Sequence, residues 1–171
     1  TSNDYGVTWT ARDSNRNWQT VAMSFDGKYQ TATVLGGQIY TSNDYGVTWT
    51  ARDSNRNWVG VAISFSGQYQ SATTNNSSII TSNDYGVTWT ARESSRTWQY
   101  IAMSSTGQYQ LAGVYNGQLY TSSNYGVTWT ARETSRVWWG VAVNSDGSRQ
   151  IASVGSGGAG QIYLSTDYGV T

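Results

Sequence analysis

Four arginines recur at one place in this chain: Arg16, Arg56, Arg96 and Arg136, each two residues before a tryptophan. A guanidinium fork matches carboxylate, phosphate or sulfate, so the set is suited to holding an anion. Asp13, Asp53, Glu93 and Glu133 lie three residues upstream of them. They offer internal ion pairs instead, of a surface kind that contributes little. Next to the arginines stand Trp18, Trp58, Trp98 and Trp138. Flat aromatic faces flanked by amides and hydroxyls are what sugar recognition uses. A tryptophan opening a strand in every repeat more often fills the core between repeats. Trp139 and Tyr100 break the recurrence, and with Asn75 and Asn116 they are the candidates for exposed contact with a ligand.

Other chemistry is excluded by composition. The chain has no His and no Cys, which removes the commonest general base and the usual metal ligands. No metal site and no cofactor are expected. Glu occurs only at Glu93 and Glu133, in equivalent places. Glycoside hydrolysis needs two carboxyl groups about 5–10 Å apart with unlike environments, and a neighbouring arginine favours the ionised form of each. A non-enzymatic protein is expected. Ten basic residues balance ten acidic ones, so no global field draws nucleic acid. No apolar run reaches the roughly 20 residues of a membrane helix, and no signal-peptide pattern opens the chain.

The elements that position these residues are legible from self-similarity. Repeats start at residues 1, 41, 81 and 121, and a partial fifth starts at 164. Charged residues are 12% of the chain and aromatics 14%, a balance that favours strands. Each repeat reads as four short strands, here residues 18–24, 29–35, 38–42 and 47–52, labelled A to D. Glycines at 27 and at 36–37 supply the hairpin turns between them. The expected fold is all-β: a single domain over residues 1–171, a β-propeller of four-stranded antiparallel blades, about forty residues per blade and four blades per chain. The recurring Gln30, Gln70, Gln110 and Gln150 are expected to bond backbone internally.

The turn before strand D reads Ser42-x-Asp44-x-Gly46-x-Thr48-Trp49. Asp44 is suited to accept turn N–H groups, Gly46 to take the tight-turn angles, and Trp49 to cover the turn. The pattern recurs at Ser2, Asp4, Gly6, Trp9 and at Ser82, Asp84, Gly86, Trp89. At Ser122, Asn124, Gly126, Trp129 the acid is an amide. This motif resembles the Asp-box, or BNR repeat, of sialidase-like β-propellers. The resemblance implies that the boxes are structural and peripheral, with any ligand on the opposite face. That face carries the D–A loops at 13–17, 53–57, 93–97 and 133–137. It also carries the B–C loops at 36–37, 75–78, 116–117 and 155–160.

The expected function is therefore a lectin-like scaffold that recognises glycans or anionic groups on the D–A/B–C face. The alternatives are a self-assembling or consensus-built repeat scaffold without a ligand, and a fragment of a sialidase-like glycoside hydrolase. By the same resemblance the setting is extracellular or at the cell surface. Residues 7–12 are expected to supply a strand D that can complete the last blade, in competition with residues 165–171. Self-association follows as the expected partnership: two chains in an eight-bladed ring, or a longer array.

Overall fold

The computed structural model describes residues 1–155 and 160–171. The connecting loop expected at 155–160 lies mostly outside these residues. Thirteen strands and no helix occur among the described residues. The first repeats give β1 (Trp18–Met23), β2 (Gln30–Ser42), β3 (Thr50–Ile63), β4 (Gln70–Thr74), β5 (Ser77–Ser82) and β6 (Thr90–Arg96). The later ones give β7 (Trp98–Met103), β8 (Gln110–Val114), β9 (Gly117–Ser122) and β10 (Thr130–Arg136). The last three are β11 (Trp138–Val143), β12 (Gln150–Val154) and β13 (Ile162–Ser165). All pairings are antiparallel between sequence neighbours. They form sheets of six, four and three strands. Among the described residues the sheets do not close into a ring.

Long strands hide the repeat boundaries in the first half. The first part of β2 pairs with β1 and its second part with β3. The break falls at Gly36, with φ 70°. Asn76 (φ 57°) and Asn116 (φ 52°) turn the chain at the same place in the next repeats, because a short amide side chain tolerates the left-handed region. Strand D begins at Thr50 rather than at the expected Val47, and it runs to Arg56 before strand A follows within β3. The stretches expected as D–A loops are thus mostly strand. They contain a bulge: between the pairs Ile39↔Arg52 and Gly37↔Arg56 the register shifts. Asp53, Glu93 and Glu133 adopt φ of 50°, 52° and 56° there. Residues 7–12 form no strand. They belong to a turn in which Thr1 and Thr10 exchange hydrogen bonds, and Thr1 lies over Gly46 in the turn after β2.

The S-x-D-x-G turns are closed by side chains. Ser42 Oγ donates to Asp44 Oδ1 at 2.8 Å and accepts from Gly46 N–H at 2.9 Å. Thr48 donates to Asp44 through its hydroxyl (2.6 Å) and its N–H (2.9 Å). The Trp49 indole N–H closes the turn on Gly46 O at 3.0 Å. At Asn124 the polarity reverses, with the amide donating to Thr128 Oγ1 at 2.8 Å. The Thr48 hydroxyl and N–H, then the Ser42 hydroxyl, lower Asp44 from 3.8 to about 2. Asp4 is lowered likewise to about 2 by Thr8 and Ser2. Around Asp84 burial opposes the shift, but the Thr88 and Ser82 hydrogen bonds outweigh it. A depressed folded value means the carboxylates stabilise the fold above pH 3.8 and lose that contribution as pH falls towards about 2. The melting temperature should therefore stay level from neutrality to about pH 4 and drop between about pH 4 and pH 2, read by circular dichroism. A melting temperature unchanged at about pH 2 would contradict this.

The core lies between repeats. Trp58, Trp98 and Trp138 are fully buried. Each packs with an aliphatic residue of the preceding repeat: Ile39 with Trp58 and Val61, Ile79 with Trp98 and Ile101, Leu119 with Trp138 and Val141. Strands β4 and β8 are buried along their whole length. Their small residues fit because neighbouring repeats press on both faces. Gln70 accepts from Thr31 Oγ1, and Gln110 accepts from Ser71 Oγ at 2.7 Å. Each of these amides also donates to its own hairpin, to Gly67 O and Gly107 O. Gln150 departs from expectation. Both its amide atoms are buried without a partner among the described residues; for the oxygen the reason is Leu111, which stands where Thr31 and Ser71 supply hydroxyls.

Candidate functional site

Antiparallel succession separates the two ends of each sheet. The A–B hairpins lie beside the S-x-D-x-G turns, as Tyr45 N–H to Lys28 O (3.2 Å) and Tyr85 N–H to Gln68 O (3.1 Å) show. The B–C turns and D–A bulges therefore share the other end. A groove of about 460 Å³ opens there across three repeats. It is lined by Asn75 and Asn76 from the β4–β5 turn, Thr97 before β7, Gln99 and Tyr100 on β7, Tyr115 at the β8–β9 turn, and Trp139 on β11.

Three of the residues singled out from the sequence, Asn75, Tyr100 and Trp139, thus converge on one groove. Trp139 is 57% exposed. Its indole N–H is fixed to Gly155 O at 2.7 Å, so the ring presents a face and not a free donor. Thr97 Oγ1 donates to Asn76 Oδ1 at 3.1 Å. Asn75 Oδ1 is buried without a partner, an arrangement that leaves an acceptor unsatisfied at the groove. Asn116 is exposed in the neighbouring turn but does not line the groove. Asn76, Thr97, Gln99 and Tyr115 were not singled out from the sequence. The signal for Tyr115 was its place in the repeat, where Leu35 and Asn75 stand in earlier copies.

The recurring arginines are engaged within the protein. Arg16 Nε meets Asp13 at 3.0 Å and Arg56 Nε meets Asp53 at 2.8 Å. In the third and fourth repeats the acid is Glu. Glu93 turns to the Ser94 N–H instead, and the Nε atoms of Arg96 and Arg136 are buried without partners. The guanidinium groups cover aromatic rings: Arg16 over Tyr40 at 4.5 Å, Arg96 over Tyr120 at 4.9 Å, Arg136 over Tyr163 at 4.8 Å and Arg56 over Trp58 at 5.8 Å. Such stacking is a modest stabilising contact.

Antiparallel sheets in chain order, packed face to face through their tryptophans with the A strands β1, β3, β7 and β11 adjoining in succession, define a β-propeller. Solved structures agree on that fold. The chain is similar to the β-propeller domain of Myceliophteria thermophila Cps50 (Swd1), with a TM-score of 0.70 and 9% identity over 93% of this chain and 58% of that one. It is similar to YCF48 bound to the D1 peptide, at 0.67 and 14% over 89% of this chain and 51% of that one. It is also similar to the Niastella koreensis GH74 enzyme, at 0.67 and 20% over 86% and 28%. The chain thus spans about half of the YCF48 chain and about a quarter of the GH74 enzyme. No family model and no curated protein matches the sequence.

Proposed function

We propose that this chain supplies four blades of a propeller scaffold of the Asp-box, sialidase-like kind that holds glycans without cleaving them, in an extracellular or cell-surface setting. The observation that carries this reading is the groove at the B–C/D–A end. It combines three aromatic side chains, Tyr100, Tyr115 and Trp139, with amides and a hydroxyl from Asn75, Asn76, Gln99 and Thr97. Apolar ring faces accept the C–H face of a sugar, and amides orient its hydroxyls. The lining contains no carboxylate, whereas glycoside hydrolysis uses a pair. Arg16 and Arg56 are paired to Asp13 and Asp53, Arg96 and Arg136 cover the Tyr120 and Tyr163 rings, and none of the four lines the groove, which favours a neutral sugar over an anion there. The four S-x-[DN]-x-G-x-T-W turns support the structural role that the Asp-box resemblance implies.

The test is a glycan array probed with the labelled chain, followed by fluorescence titration with neutral cello-, xylo-, manno- and chito-oligosaccharides. Saturable binding is expected for at least one class. Trp139→Ala should weaken it by about tenfold or more, the equivalent of roughly 1.4 kcal/mol, without lowering the melting temperature. Silence across the array, or binding indifferent to Trp139→Ala, would sink the proposal and leave a scaffold without a glycan ligand.

A further inference from the structure

The contacts that join one repeat to the next stop at two faces, and the two faces are complementary. Each inner interface sets an aliphatic residue of strand C against a tryptophan and an aliphatic residue of the next strand A. At the last repeat the strand C residue is Ile162, which is 77% exposed where its counterparts Ile39 and Ile79 are fully buried. At the first repeat the strand A residues are Trp18 and Val21. Val21 is 74% exposed, while Val61, Ile101 and Val141 are half-buried. Phe25 and Ser145 terminate a ladder of backbone bonds between repeats. It runs from Phe25 N–H to Phe65 O (3.0 Å), Phe65 N–H to Ser105 O (2.8 Å) and Ser105 N–H to Ser145 O (2.8 Å). The Phe25 carbonyl and the Ser145 N–H would make its next rung.

A second periodic contact behaves in the same way. Tyr29 packs on Tyr85, Tyr69 on Tyr125 and Tyr109 on Tyr168, with ring centroids 4.5, 4.3 and 4.6 Å apart. The fourth position of the first series is Arg149, exposed on the last repeat. Of the second series Tyr45 is left unmatched and exposed, as is Tyr5 in the N-terminal turn. A guanidinium over a tyrosine face replaces ring stacking without loss of attraction. Finally, β13 pairs only with β12 among the described residues, whereas β2, β5 and β9 pair on their other side with a strand D.

We propose that the face bearing Ile162, Leu164 and Arg149 binds the face bearing Trp18, Val21, Phe25 and Tyr45 of a second copy of this chain, so that two copies close one ring. Residues 9–12 of one copy then lie along β13 of the other as its strand D, with Arg12, Ala11 and Thr10 opposite Ile162, Tyr163 and Leu164, as Arg52, Ala51 and Thr50 lie opposite Ile39, Tyr40 and Thr41. Residues 1–8 (TSNDYGVT) and residues 164–171 (LSTDYGVT) are near-identical turns claiming one place. In the ring the second takes that place. Leu164 there covers Gly46, as Thr41 covers Gly86, Thr81 covers Gly126 and Thr121 covers Gly169, and it displaces Thr1. Two copies are preferred to an open array because one copy is about half the length of propellers of this kind, 51% of the YCF48 chain and 58% of the Swd1 propeller domain. The proposal is independent of the glycan groove.

Light scattering on the eluting chain should give about twice 18.7 kDa. A monomer at every concentration, or a ladder of larger masses, would overturn the two-copy ring. Val21→Lys and Ile162→Asp each spoil one face. Either variant alone should remain folded by circular dichroism and associate about a hundredfold more weakly. Mixing the two variants leaves one native junction per pair and should restore the doubled mass. If mixing restores nothing while both variants stay folded, the faces do not meet each other. Deleting residues 1–8 should preserve the doubled mass, since residues 164–171 supply the same turn. Loss of association in that folded deletion would count against the exchange.

Discussion

Replacing Trp98 with alanine is expected to lower stability by about 3–5 kcal/mol. Its indole is fully buried among Ile79, Ala112, Val114 and Tyr120. The Tyr120 ring meets it edge-on at 4.9 Å, a geometry that adds to area burial. Its N–H donates to Ser94 O at 3.3 Å, and that carbonyl loses its partner with the ring. Alanine would leave a hole shared by two repeats that the rigid ladders on either side cannot fill. With a cost of this size the melting temperature should fall by about 10 °C or more. The neighbouring Trp139→Ala is the internal comparison, because its ring is largely exposed. Surface changes of that kind move stability by about 0.5 kcal/mol or less. Urea unfolding of both variants reads the contrast. Equal shifts would mean that the recurring tryptophans do not wedge the repeats apart.

Gly86→Ala should produce the next largest loss, about 2–4 kcal/mol from two causes. Gly86 sits at φ 80°, where a β-carbon is strained. That carbon would also lie 2.6 Å from Thr41 Cγ2 and 2.8 Å from Gln70 Oε1. Neither neighbour is free to retreat. Gln70 accepts from Thr31 and donates to Gly67 O, and Thr41, buried on β2, accepts from Arg52 Nε. Gly27→Ala separates the two causes, since Gly27 has φ 76° but nothing within 4 Å of the added carbon. It should lose only the conformational part, about 1–2 kcal/mol. Thermal melts of the pair measure the difference. If Gly27→Ala and Gly86→Ala cost the same, the close approach between repeats contributes nothing.

Much of the architecture was readable because each repeat is spelled out almost letter for letter. Strands A, B and C fall within a residue or so of their expected places. Strand D did not. Val47-Thr48-Trp49 alternates like a strand, but the Trp49 indole bonds to Gly46 O and Thr48 serves Asp44, so these residues belong to the turn. The D–A bulge was hidden for a different reason. Its left-handed residue is Asp or Glu and not Gly, and nothing local marks it. The Asp13–Arg16 and Asp53–Arg56 pairs follow from spacing alone. The longer Glu93 and Glu133 break the series, and the rings beneath the guanidinium groups come from strands distant in sequence. In the groove, Tyr100 and Trp139 were visible as departures from the repeat. Thr97 and Gln99 were not, since only the packing of three repeats brings them beside Asn75.

Gln150 carries a consequence for mechanics. Its carboxamide is sealed away with neither end satisfied, while the two earlier amides are clamped from the adjacent unit. An orphaned buried polar group costs about 1–3 kcal/mol. The joint between the third and fourth units is consequently the one where a pulled molecule gives way earliest. Under tension from its two termini the chain should part there first, releasing its C-terminal quarter as a discrete extension step before the remainder ruptures.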